Sequence, residues 1–167
     1  MAVEVYATLT FADGAVEEIE DSTRTSEVAG VDTATKVECT SFRWGISAPT
    51  EQGGPVQSGR HVCEPIRISF RATGVTTPLW LKALDRNEPV AGTFETFRPS
   101  RHGSAREACS TVEITDGRLI GFEIDSPDTL DAETASKPMM CHAVISYHTL
   151  VHGTDGGSEH VVSWGTN

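Results

Sequence analysis

Residues 64–74, EPIRISFRATG, alternate with a strict period of two: Ile66, Ile68, Phe70 and Ala72 share one face, and Arg67, Ser69 and Arg71 share the other. A helix cannot sort them this way, because residues two apart fall on opposite sides of it, whereas a strand does so at every step. The same rhythm runs through residues 3–11, where Val3, Val5, Ala7, Leu9 and Phe11 oppose Glu4, Tyr6, Thr8 and Thr10. It returns in CTSFRWGISAP at 39–49, with Phe42, Trp44 and Ile46 two apart before the chain stops at Pro49. In MMCHAVISYHTLVHG, Met139, Cys141, Ala143, Ile145 and Tyr147 oppose His142, Ser146 and His148. GTFETFR adds a further strand, and STVEIT and RLIGFEID flank Asp116-Gly117, a pair that predicts a tight hairpin. About seven strands with no internal repeat predict a mostly β, antiparallel barrel or sandwich.

One helix interrupts the strands. In TTPLWLKALDRN, Thr77 suits an N-cap and Pro78 the first helical position, and Leu79, Trp80, Ala83 and Leu84 have helical spacing. The helix is expected over about residues 78–86, ahead of Pro89. Three polar stretches read as long exposed loops: the acidic residues 13–36, TEQGGPVQSGRH after the second strand, and SPDTLDAETASKP. With 167 residues the chain supports one buried core, so a single domain over 1–167 is expected.

Charge narrows the function. The formal net charge is -11, with eight acidic residues in 13–38 and seven in 113–133, whereas 57–108 is mildly basic. Such a chain repels nucleic acid and anionic membranes, which are bound through concentrated Lys and Arg. No apolar run approaches the roughly 18 residues of a membrane span. The opening MAVEVYATLTF lacks a basic segment followed by an apolar one, so synthesis and folding are expected in the cytosol.

Cys39, Cys63, Cys109 and Cys141 are scattered singly, which suits small apolar core residues. His61 with Cys63, and Cys141 with His142, lack the doubled ligand pairs of a zinc site, so no metal or cofactor is expected. Neither a G-x-S-x-G elbow nor a phosphate-binding glycine loop occurs, and no catalytic residue is assigned.

Four features in order resemble the haemolysin-coregulated protein (Hcp) family, the inner-tube subunits of bacterial type VI secretion systems. IEDSTR at 19–24 takes the place of a Gly-Glu-Ser motif, without the glycine; TSFRWGISAP resembles the strand signature ending in Trp-Gly. HVCEPIRISFRATGVTTPLWLKAL resembles the next strand, its Thr-Pro turn and the single helix, and the last long strand is followed by a Trp-containing tail, SWGTN. The resemblance implies a two-sheet antiparallel β-barrel with one short helix and long exposed loops. It further implies homohexameric rings stacked into a hollow tube, with sheath, spike and effector proteins as partners, carriage of effectors in the lumen, export without a signal peptide, and no catalysis. On this reading Phe42, Trp44, Ile46, Ile66, Ile68, Phe70 and Trp80 anchor the strands and core. Glu20, Asp21 and Ser22 in the first loop, with Gln52, Gly53 and Gly54 in the second, are the candidate ring contacts. The alternatives are a monomeric barrel that binds a small ligand and a tube protein of another phage-tail-like contractile system.

Overall fold

The computed structural model describes residues 3–12, 14–16, 27–48, 61–72, 77–100, 105–131 and 133–164. Eleven strands and one helix follow in the order β1 (Glu4–Phe11), β2 (Gly14–Val16), β3 (Glu27–Val28), β4 (Val31–Asp32), β5 (Val37–Ser47), β6 (Val62–Arg71), α1 (Thr77–Asp85), β7 (Pro89–Pro99), β8 (Arg106–Asp125), β9 (Met140–Ser146), β10 (Thr149–Thr154) and β11 (Glu159–Ser163). Every pairing is antiparallel. The main sheet runs β11-β10-β8-β7-β1-β5-β6-β9, and β9 pairs back onto β8, so the path closes. The fold is therefore a mostly β barrel with one short helix.

The long strand β8 makes the closure possible. Its first half pairs with β7 on one edge and β10 on the other, and its second half pairs with β9. One strand thus belongs to both walls. The hairpin expected at Asp116-Gly117 does not form: both residues lie inside β8. Asp116 takes a positive φ of 51° there, a conformation Asp tolerates better than most residues. The pair bends the strand instead of reversing it. Inward positions change from Val112 and Ile114 before the bend to Gly117 and Leu119 after it. Opposite, β9 and β10 break at Tyr147-His148, so the two partners bend together.

Alternation elsewhere gives the expected faces. Ile66, Ile68 and Phe70 are buried while Arg67 and Arg71 are exposed. Pro65 lies where β5 and β6 change register between Arg43 and Gly45, the kind of site at which a strand tolerates a missing N–H. The interior is filled by Leu9, Ile66, Phe70, Phe94, Ile114 and Ile145, each at most 2% exposed.

Helix α1 occupies one end of the barrel. Thr77 is its first residue, one position earlier than expected. It closes in a Schellman arrangement, with Asn87 at φ 50° and the amides of Asn87 and Glu88 donating to the carbonyls of Leu84 and Ala83 at 3.2 and 2.9 Å. The helix directs Trp80 onto Phe11, Phe70 and Phe122, with ring centroids 5.3, 4.9 and 5.8 Å away.

The first long loop is partly structured. Strands β3 and β4 form a small hairpin whose Val28 packs on Tyr6 and Phe97. Tyr6 therefore points away from the main core and is still buried, which simple alternation does not anticipate.

Candidate functional site

The anchor residues fall into two groups. Ile66, Ile68, Phe70 and Trp80 are fully enclosed, whereas Phe42 and Trp44 are half-buried and packed against the core. Ile46 departs from the expectation of a core anchor, being 39% exposed. It pairs with buried Cys63 near the end of β5 opposite α1, where its own side chain is left open. There it borders a cavity of about 430 Å³ with His61, His160, Val161 and Val162. The candidate ring contacts Glu20, Asp21, Ser22, Gln52, Gly53 and Gly54 all lie outside the described residues.

Contacts across the core fix which walls are opposite. Phe42 of β5 stacks on Phe94 of β7 at 4.9 Å, and Trp44 lies 5.3 Å from His152 of β10. The outer face of β5–β6–β9 and that of β7–β8–β10 therefore point in opposite directions.

Each outer face carries a shallow groove. On β5, β6, β9 and the second half of β8 it measures about 510 Å³ and is bordered by Arg43, Arg67, Ser69, Glu123 and His142. Ser69 Oγ and His142 Nδ1 are 2.8 Å apart there. In-register pairing places Glu123 on the far side of His142. A serine, a histidine and a glutamate thus lie in one row across three paired strands, β6, β9 and β8. On β8, β10 and β11 the second groove, about 310 Å³, is bordered by Glu113, Asp155 and Glu159. Cys109 at its edge is half-buried and donates to the carbonyl of Thr96 at 3.3 Å.

Among the described residues no group of three or more His, Cys, Asp and Glu side chains could hold a metal ion. Cys39, Cys63 and Cys141 are buried as free thiols. Burial, reinforced by the neighbouring Cys63 and Glu64, pushes the Tyr147 phenol up to about 12. Among the described residues its hydroxyl finds no hydrogen-bond partner of good geometry, and its ring meets Trp164 edge-on at 5.8 Å.

Sequence reasoning placed Arg67 and His142 on outward faces but could not join them, because strand register across the barrel brings them together. The acidic groove went unrecognised for the same reason: Glu113 and Glu159 lie far apart in sequence and meet only through β10. A clue was present in the mildly basic 57–108 set against the acidic 113–133.

The closed antiparallel sheet and, among the described residues, the single helix at one end define a one-helix β-barrel of the Hcp type. No protein-family model matches the sequence, and neither does any curated protein. Solved structures do match. A crystal structure of an Hcp protein superposes with a TM-score of 0.81 at 16% identity, covering 99% of this chain and 100% of that one. The secreted protein Hcp3 from Pseudomonas aeruginosa gives 0.74 at 16% identity, over 99% of this chain and 100% of its own. A double mutant of Hcp1 from the E. coli EAEC 042 pathovar gives 0.75 at 12% identity, over 98% and 100%. The chain has the Hcp fold.

Proposed function

We propose that the protein is a structural subunit of a contractile secretion tube of the type VI kind, closing into hexameric rings that stack around a hollow lumen. The observation that carries this reading is the match to an Hcp protein over 99% of this chain and the whole of the other, with a TM-score of 0.81. The barrel supports it physically. Its interior is packed with bulky side chains, so its outer walls and rims are the surfaces left to act. On this reading the protein works by self-association and catalyses no reaction. Sheath, spike and effector proteins are its further partners, with effectors carried in the lumen. It assembles in the cytoplasm and leaves without a signal peptide. Among the described residues no helix is long and apolar enough to cross a membrane.

Native mass spectrometry with negative-stain microscopy tests the proposal. The expected result is a species six times the 17.9 kDa chain mass, seen as rings. A protein that stays monomeric at micromolar concentration would overturn it.

A further inference from the structure

Strands β10 and β11 set two histidines face to face. In their antiparallel register, His152 stands directly opposite His160. Backbone hydrogen bonds on either side hold that register: the Thr154 amide donates to the Ser158 carbonyl at 3.0 Å, and the Trp164 amide to the His148 carbonyl at 2.7 Å. Leu150 and Val162, the next pair on the same face, are both buried. Alternation therefore turns both imidazoles to the inner side of the wall, at the barrel end opposite α1.

Residues so paired have β-carbons about 4.5–5.5 Å apart. Two imidazoles rooted at that separation can reach one ion, whose bonds to histidine nitrogen are about 2.0–2.1 Å long. Among the described residues neither ring has a hydrogen-bond or ion-pair partner, so no neighbouring donor or acid claims their nitrogens. His152 is half-buried, its ring steadied by Trp44 at 5.3 Å, and His160 is exposed, so an ion has a way in. Among the described residues no Lys or Arg borders the adjoining cavity of about 430 Å³, and the chain's formal charge of -11 draws cations toward it.

We propose that His152 and His160 form a two-histidine site for a divalent transition-metal cation, which clips β11 to β10. Neutral imidazole suits Cu2+, Ni2+ and Zn2+, whereas Ca2+ and Mg2+ take oxygen ligands. Two ligands fall short of the groups of three that the described residues lack, so water completes the coordination and the ion stays exchangeable. Among the described residues β11 pairs with β10 alone, so an ion bound across the pair ties down the edge of the sheet. The site lies within one chain and does not depend on the tube-subunit reading.

Calorimetric titration of untagged protein with CuCl2, NiCl2 or ZnCl2 tests the site. Binding of one ion per chain is expected at micromolar concentration, tightest for Cu2+, with a raised midpoint of thermal unfolding. His152→Gln and His160→Gln should each weaken it by at least the roughly tenfold that loss of an outer-shell partner costs, whereas His61→Gln, His142→Gln and His148→Gln should leave it unchanged. Circular dichroism checks the fold of each variant, and exposed His160 decides the matter if His152→Gln unfolds. Cu2+ should also quench the fluorescence of Trp44 beside His152, and Trp44→Phe should remove most of that quenching while keeping the calorimetric site. Binding that persists undiminished in His160→Gln, or that falls equally in one of the three control variants, overturns the assignment. So does quenching that survives Trp44→Phe unchanged, or a wild-type protein that binds none of the three ions at submillimolar concentration.

Discussion

A β-carbon on Gly117 would stand 2.8 Å from the carbonyl oxygen of Ser146, and it would stand equally close to that of Val90. The long strand thus bends where its two neighbours crowd it from both sides, and only hydrogen fits between them. Gly117→Ala is expected to destabilise the protein by about 1–3 kcal/mol through overpacking against rigid backbone. Gly153→Ala, whose β-carbon meets nothing nearer than 4.0 Å, should cost well under half of that. Urea unfolding of the two variants makes the comparison, and equal losses would show that the bend does not depend on the missing side chain.

Tyr147 sets an alkaline limit on stability. Its folded-state value is raised to about 12 from 10.0, so the fold favours the neutral phenol. That contribution is complete below pH 10 and is lost as the pH rises toward 12, by roughly 2–3 kcal/mol in total. Tyr147→Phe removes a buried hydroxyl that makes no hydrogen bond of good geometry among the described residues, and it is expected to leave stability at pH 7 nearly unchanged while flattening the decline above pH 10. Parallel alkaline declines in the two proteins would assign the loss to other groups.

Trp80 holds the helix to the barrel end. Trp80→Ala empties a fully buried site among Phe11, Phe70 and Phe122 and is expected to cost about 3–5 kcal/mol. Leu81, one residue on and 47% exposed, should cost less than about 1 kcal/mol when replaced by Ala. Chemical denaturation distinguishes them, and a mild Trp80 effect would mean the aromatic cluster can collapse into the gap.

Salt acts directly on the stacking that a tube requires. Stacking brings rings of strongly acidic subunits together and should strengthen between low and moderate salt, as the screening length shrinks to ~8 Å at physiological strength. Light scattering follows stacking. Stacking that falls steadily with added salt would reject the repulsion account.

Much of the barrel was legible because β-strands announce themselves through alternation. Ile66, Ile68 and Phe70 face inward as their spacing requires, and Trp80 sits on the apolar side of a helix whose start was marked by Thr77-Pro78. Two features were not legible, for definite physical reasons. Asp116-Gly117 has the chemistry of a hairpin turn, yet β7 and β10 pair with the strand before it and β9 with the strand after it, and continuous pairing wins over local preference. Tyr6 reads as a solvent-facing residue until Val28, brought back by a small hairpin, covers it. The two outer grooves belong to the same class: their members are set by register between distant strands, which no local pattern encodes. The loop contacts expected at Glu20 to Ser22 and Gln52 to Gly54 lie outside the described residues.

The strand shared by both walls also sets an order of events during synthesis. Strands β6 and β8 each keep an open hydrogen-bonding edge until residues 140–154 have left the ribosome, since β9 and β10 are their partners there. Until then the nascent chain carries a long, apolar, unclosed sheet, the type of surface that invites pairing with the wrong neighbour. Closure waits on contacts between segments far apart in sequence, which favours slow folding. On a crowded polysome, the interval before residue 154 emerges is therefore when the chain's open strand edges are most exposed to pairing with a neighbouring chain.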